Sequence, residues 1–105
     1  MDANLQKAAS AGDAEAQFEL ANYFTSKNAS REREPNDARK AFAWYRKAAV
    51  QGHGNAQYRL ALAYAGGIGV RPDPVLAVDC FKKAADQGNA WAQFRLGHVS
   101  KMVTV

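Results

Sequence analysis

Cysteine occurs once in this chain, at Cys80, histidine only at His53 and His98, and proline three times in 105 residues. A single thiol can form neither an intramolecular disulfide nor a cysteine-based metal cage, so nothing marks an oxidising compartment. The two histidines lack the i, i+4 spacing of a helical metal site, and no metal or cofactor is expected. The longest apolar stretch is a few residues, which excludes a helical membrane span. The opening Met1-Asp2-Ala3-Asn4 lacks the basic segment and apolar run of a secretory leader, so a cytoplasmic protein is the expectation. Valine, isoleucine and threonine, the residues strands favour, together number only 10.

What is abundant is alanine, with 22 copies among about 50 hydrophobic residues. Alanine is the best helix former and lets helices approach closely, so the composition points to an all-α chain packed through small side chains. A length near 100 residues allows one domain. The net charge of +4 describes a mildly basic surface without a basic block, which permits a nucleic-acid partner but does not indicate one.

Self-comparison reveals internal repeats. Lys47-Ala48-Ala49-Val50-Gln51-Gly52 recurs 36 residues later as Lys83-Ala84-Ala85-Asp86-Gln87-Gly88, and 40 residues earlier as Lys7-Ala8-Ala9-Ser10-Ala11-Gly12. Each copy leads into a second block: Ala16-Gln17-Phe18-Glu19-Leu20, Ala56-Gln57-Tyr58-Arg59-Leu60 and Ala92-Gln93-Phe94-Arg95-Leu96. The segment from Asp37 to Lys47 matches that from Asp73 to Lys83. The offsets place a four-residue insertion between Phe24 and Pro35. The chain thus divides into a half unit (1–12), a full unit with the insertion (13–52), a second full unit (53–88) and a final half unit (89–105).

Punctuation places these blocks on helices. Gly12, Gly52 and Gly88 are expected to close helices at positive φ. Asp13 and Asn89 follow as N-caps. His53, at the equivalent position, is a poor cap by type, so Asn55 is expected to start the middle helix two residues later. Asp73 before Pro74 is a cap with proline at the first helical position, and Asn36-Asp37 is expected to serve the same purpose. Six helices follow, near 2–11, 14–27, 37–51, 55–65, 74–87 and 90–101. Phe42, Tyr45, Ala48 and Ala49, and their counterparts Val78, Phe81, Ala84 and Ala85, lie at three- and four-residue steps on one face. Each pair has too little apolar surface to fold alone, so the pairs must stack into a solenoid, an α-α superhelix.

At this point the chain resembles the Sel-one-like repeat family, a branch of the tetratricopeptide-like helical repeats. The resemblance rests on Leu62-Ala63-Tyr64-Ala65-Gly66-Gly67-Ile68-Gly69-Val70, then Asp73, Ala77 and Phe81-Lys82-Lys83-Ala84-Ala85-Asp86-Gln87-Gly88. The first full unit departs from it, replacing the glycine turn by Thr25 to Glu34, which could extend the helix before it. Cys80 stands where Trp44 supplies the family's usual tryptophan. The last half unit leaves a stack face that Met102, Val103 and Val105 could cover, or use to bind another copy.

The chemistry of catalysis is sparse. Cys80 and His98 have no third group to orient them, and a lone cysteine on an apolar helix face reads as a small core residue. Gly66 to Val70 fails as a phosphate loop, because no strand precedes it and no lysine or Ser/Thr follows at the needed spacing. Asn28-Ala29-Ser30 matches a glycosylation acceptor, but no secretory signal accompanies it. Arg46-Lys47, Lys82-Lys83, Arg59 and Arg95 recur by unit and read as solvated positions, with a nucleic-acid adaptor as the alternative.

The resemblance implies a noncatalytic scaffold whose first helix in each pair lines a concave groove for a partner's peptide or helix. Counting by repeat, the groove positions are Glu15, Asn55 and Trp91; Phe18, Tyr58 and Phe94; and Asn22, Leu62 and His98. Trp91 is expected to be exposed, since glutamate and asparagine occupy its equivalents. The aromatic row serves either packing between units or partner contact. Glu19 gives way to Arg59 and Arg95, so the groove is expected to be acidic at one end and basic at the other.

Overall fold

The computed structural model describes residues 3–31 and 34–103, with side chains described as far as residue 97. Six helices occupy the described residues: α1 (Ala3–Ser10), α2 (Ala14–Asn28), α3 (Asp37–Val50), α4 (Gly54–Gly66), α5 (Pro74–Asp86) and α6 (Ala90–Val103). Each packs chiefly on its neighbours in the chain, most extensively α2 on α3 and α4 on α5. The result is a short solenoid, 50 × 27 × 18 Å in extent, of stacked antiparallel helix pairs. None of the described helices is long and apolar enough to cross a membrane.

One residue at each unit junction both ends a helix and begins the next. The backbone N–H groups of Asp13, His53 and Asn89 donate to the carbonyls of Ala8, Ala48 and Ala84, at 3.1, 3.3 and 3.1 Å. The same residues' side chains accept from Ala16, Ala56 and Ala92, at 2.9, 3.1 and 2.9 Å. The preceding glycines, Gly12, Gly52 and Gly88, have φ of 105°, 89° and 86°, as their position after Ala-Ala-x-x required.

Two capping expectations are corrected. His53 caps α4, because imidazole Nδ1 presents a lone pair at the distance where Asp or Asn would place an oxygen; the helix therefore starts at Gly54, ahead of Asn55. Asn36 precedes α3 but makes no side-chain cap bond, unlike Asp73, whose Oδ1 accepts from Val75 and Leu76. Asp37 is fully buried and reaches back to the Glu34 amide, with Lys27 Nζ 3.9 Å from its other oxygen. The insertion replaces the cap by this link between the end of α2 and the start of α3. Part of it also lengthens α2 to Asn28.

Alanine fills the closest contacts. Ala21, Ala48, Ala56, Ala61, Ala84 and Ala92 have no exposed surface and share one core cluster with Tyr45, Leu60, Cys80 and Phe81. A smaller cluster of Ala9, Ala16 and Leu20 seals the first half unit, and Trp44 packs against it. Leu20 is among the largest fully buried side chains, and burying a residue of its size stabilises by about 1.5–3 kcal/mol.

The glycine turn after α4 is a packing device. Gly69 has φ of 75°, and a Cβ there would lie 2.2 Å from the Ala38 carbonyl oxygen. The turn therefore seats directly on the backbone of α3, which a side chain at this position would prevent.

Candidate functional site

The aromatic row is built by the repeat. Phe18 on α2 packs against Tyr45 on α3 with ring centroids 5.9 Å apart and planes at 55°; Tyr58 on α4 packs against Phe81 on α5 at 5.9 Å and 55°. Phe18 also lies against the His53 ring, at 4.7 Å. Both rings are half-buried, so packing between helices accounts for part of each and leaves an edge toward the first-helix face. Phe94 is 70% exposed.

Along the row of first helices runs an open cleft of about 500 Å³, lined by Phe18, Asn55, Tyr58, Arg59, Leu62, Asn89, Trp91 and Arg95. It brings together seven of the groove residues read from the sequence and adds Asn89. Trp91 is 69% exposed. Glu15, Asn22 and Phe94 do not line it. Glu15 Oε2 lies 2.6 Å from His53 Nε2, and Asn22 accepts from the Tyr45 hydroxyl behind the row. The side chain of His98 lies outside the described residues, as do those of Met102, Val103 and Val105, so neither the proposed end face nor a Cys80–His98 pair is described.

Asn89 enters the site through its cap. Its Oδ1 accepts from the Ala92 amide, so its Nδ2 is left to donate, and it does so to Asn55 Oδ1 at 2.9 Å. Glu15 and His53 make the corresponding link one unit earlier. In each junction, the residue two past one cap holds the cap of the next unit. The signal for this was present at positions 13, 53 and 89, but only stacking brings the partners within reach.

Behind the cleft and sharing Arg59 and Leu62 with it is a smaller cavity of about 100 Å³, walled also by Thr25, Ala38, Ala41, Phe42, Tyr45, Ala63 and Ile68. Burial pushes the Tyr45 hydroxyl above the usual phenol range, opposed by its hydrogen bond with Thr25 and by the charge of Arg59. Burial likewise raises the Cys80 thiol, with Asp79 adding to the shift and Lys83 opposing it.

The repeated basic residues separate by helix. Arg59 and Arg95 stand exposed on the first-helix row and form no ion pair among the described residues. Arg46, Lys47, Lys82 and Lys83 belong to the second helices, where Lys47 Nζ sits 4.4 Å from the Trp44 ring centroid and Lys83 pairs with Asp79 at 3.2 Å. They do not join the arginines into one stripe along the cleft.

A family model described as Sel1 repeat matches residues 3–13, 14–53 and 54–89. The chain is 37% identical over 93 residues to the DAP3-binding cell death enhancer 1 of Rattus norvegicus, covering 88% of this chain and 17% of that protein. It is 42% identical over 60 residues to the chitin synthase regulatory factor 3 of Schizosaccharomyces pombe, covering 57% of this chain and 6% of the relative. A protective antigen of uropathogenic Escherichia coli that displays an SLR fold superimposes with a TM-score of 0.79 at 35% identity, over 90% of this chain and 20% of that one. A Sel1 repeat protein from Oxalobacter formigenes gives 0.73 at 33% identity, over 84% and 35%. The chain thus spans about a third or less of each of these proteins.

Proposed function

Because the chain belongs to the Sel1 repeat family, whose members mediate protein–protein interaction, we propose that it is a noncatalytic scaffold that holds a partner's peptide segment in the cleft along α2, α4 and α6. The observation that carries this reading is the convergence of equivalent positions from three units on one open surface, ending in the exposed indole of Trp91. Aromatic side chains presented on rigid helices lose little entropy on binding and are the usual anchors of protein interfaces. A reducing, cytoplasmic setting belongs to the same proposal, supported by the lone buried thiol of Cys80.

Affinity capture from native extract tests the reading, with Trp91→Ala compared against Val75→Ala. Val75 is exposed on α5, away from the cleft, and serves as the control. Partners captured by the unaltered chain are expected to be lost with Trp91→Ala and kept with Val75→Ala. Equal capture by all three removes the cleft as the binding surface.

A further inference from the structure

Building on that reading of the cleft, we infer that its α4–α6 portion is a receptor for carboxylate side chains, so that the partner is an acidic peptide segment. The walls here offer hydrogen-bond donors and almost no acceptors. Arg59 and Arg95 reach it from α4 and α6, both exposed and neither engaged in an ion pair among the described residues, and no carboxylate lines the cleft. Asn55 is turned into a donor by the fold itself. The Ala92 amide holds Asn89 Oδ1, which leaves Asn89 Nδ2 to engage one lone pair of Asn55 Oδ1; this bond fixes the orientation of the Asn55 amide and leaves both hydrogens of its Nδ2 to donate. The indole N–H of Trp91 is a donor by chemistry.

Two guanidinium groups and an oriented amide over apolar rings suit a ligand whose charges are planar oxygen pairs and whose remaining surface is hydrophobic. Arginine and carboxylate meet in bidentate pairs that combine strength with orientation. The ring faces of Tyr58 and Trp91 would take an apolar residue beside the acidic ones. A nucleic acid is a poorer match. Its phosphates recur along the whole strand, whereas the row turns acidic at α2, where Glu19 holds the position of Arg59 and Arg95 and Glu15 stands one turn before it. The remaining lysines lie on the second helices and give no continuous phosphate track.

The test selects a random peptide display library against the full chain and against an Arg59→Glu, Arg95→Glu variant, with circular dichroism confirming that both are folded. The unaltered chain is expected to enrich segments carrying Asp or Glu beside an apolar residue. An enriched peptide, resynthesised with a fluorophore, should bind the double variant at least about tenfold more weakly. Arg59→Gln, Arg95→Gln should weaken it in the same direction without reversing charge. Enrichment without an acidic bias overturns the inference, and if Trp91→Ala still releases those peptides, the cleft survives as a binding site while its carboxylate chemistry falls. Acidic peptides bound equally by the double variant also overturn it. Displacement of the peptide by inorganic phosphate or a single-stranded oligonucleotide at similar concentration reassigns the site to phosphate and overturns it. If nothing is enriched, both this inference and the cleft reading fail.

Discussion

Gln57 Nε2 donates to the Ala49 carbonyl eight residues earlier, at 3.2 Å, inside the junction between α3 and α4. Gln17 and Gln93 make the same bond to Ala9 and Ala85, each at 3.1 Å. The last carbonyls of a helix have no partner within it; here the amides of Gly12, Gly52 and Gly88 donate to them at 3.1, 2.9 and 2.9 Å, and a side chain from the next helix adds a second donor. This explains why glutamine stands beside an alanine in every unit on an otherwise apolar face.

Replacing Gln57 by Ala should therefore cost about 0.5–1.5 kcal/mol, since the Ala49 carbonyl keeps the Gly52 amide and loses only its second donor. Gln93→Ala should cost less, because Gln93 is exposed and water can replace it. Urea denaturation of the two variants measures the difference. Equal small losses would show that the repeated bond contributes nothing to the stack.

Gly69 and Gly88 separate two causes of glycine preference. Both have positive φ, 75° and 86°, but a Cβ at Gly69 meets the Ala38 carbonyl at 2.2 Å, whereas at Gly88 nothing lies within 4 Å. Gly88→Ala should lower stability by about 1 kcal/mol, the ordinary cost of a left-handed alanine. Gly69→Ala should lower it more, because the turn must lift off α3. Thermal unfolding of the pair checks the ordering.

His53→Ala should remove the α4 cap and cost about 1 kcal/mol, while His53→Asn, which copies Asn89, should keep it. Glu15→Gln should change stability little, because Glu15 is exposed and glutamine's side-chain oxygen can still accept from His53 Nε2. Chemical denaturation of the three variants distinguishes a capping imidazole from one that matters through its hydrogen bond to Glu15.

Burial holds Cys80 protonated in the folded state beyond the usual thiol range. With the native pKa raised, the folded chain binds more protons than the unfolded chain once pH exceeds the unfolded thiol's value of about 8.5. Stability from this group is fully present below that pH and is lost as pH climbs toward the native pKa. Tyr45 acts in the same direction at higher pH. Cys80→Ala should flatten the first part of the alkaline decline, and alkylation of Cys80 should be slow until denaturant is added.

Tyr58→Ala and Trp91→Ala should differ in stability although both residues line the cleft. Tyr58 is half-buried against Phe81, and its loss should cost about 2 kcal/mol or more. Trp91 is 69% exposed, and its removal should stay within about 0.5 kcal/mol. Melting temperatures of the two variants establish which one reports on binding alone.

The residues of the chain by themselves determined the helix count, the closing glycines and most of the cleft, because all three follow from periodicity. A 36-residue repeat puts equivalent side chains on equivalent faces, so Asn55, Tyr58, Arg59, Leu62, Trp91 and Arg95 could be aligned without coordinates. Tertiary structure decided what periodicity does not encode. His53 became a cap because the turn after Gly52 aims its Nδ1 at the Ala56 amide, a matter of orientation that residue type does not carry. Asp37 was drawn into the interior by the inserted segment, where its equivalent Asp73 is a surface cap. Asn89 joined the cleft, and Asn55 became a donor, only because stacking brings cap and neighbour within hydrogen-bonding distance. Repetition dictates which residues occupy the same position; contact between units dictates what each does there.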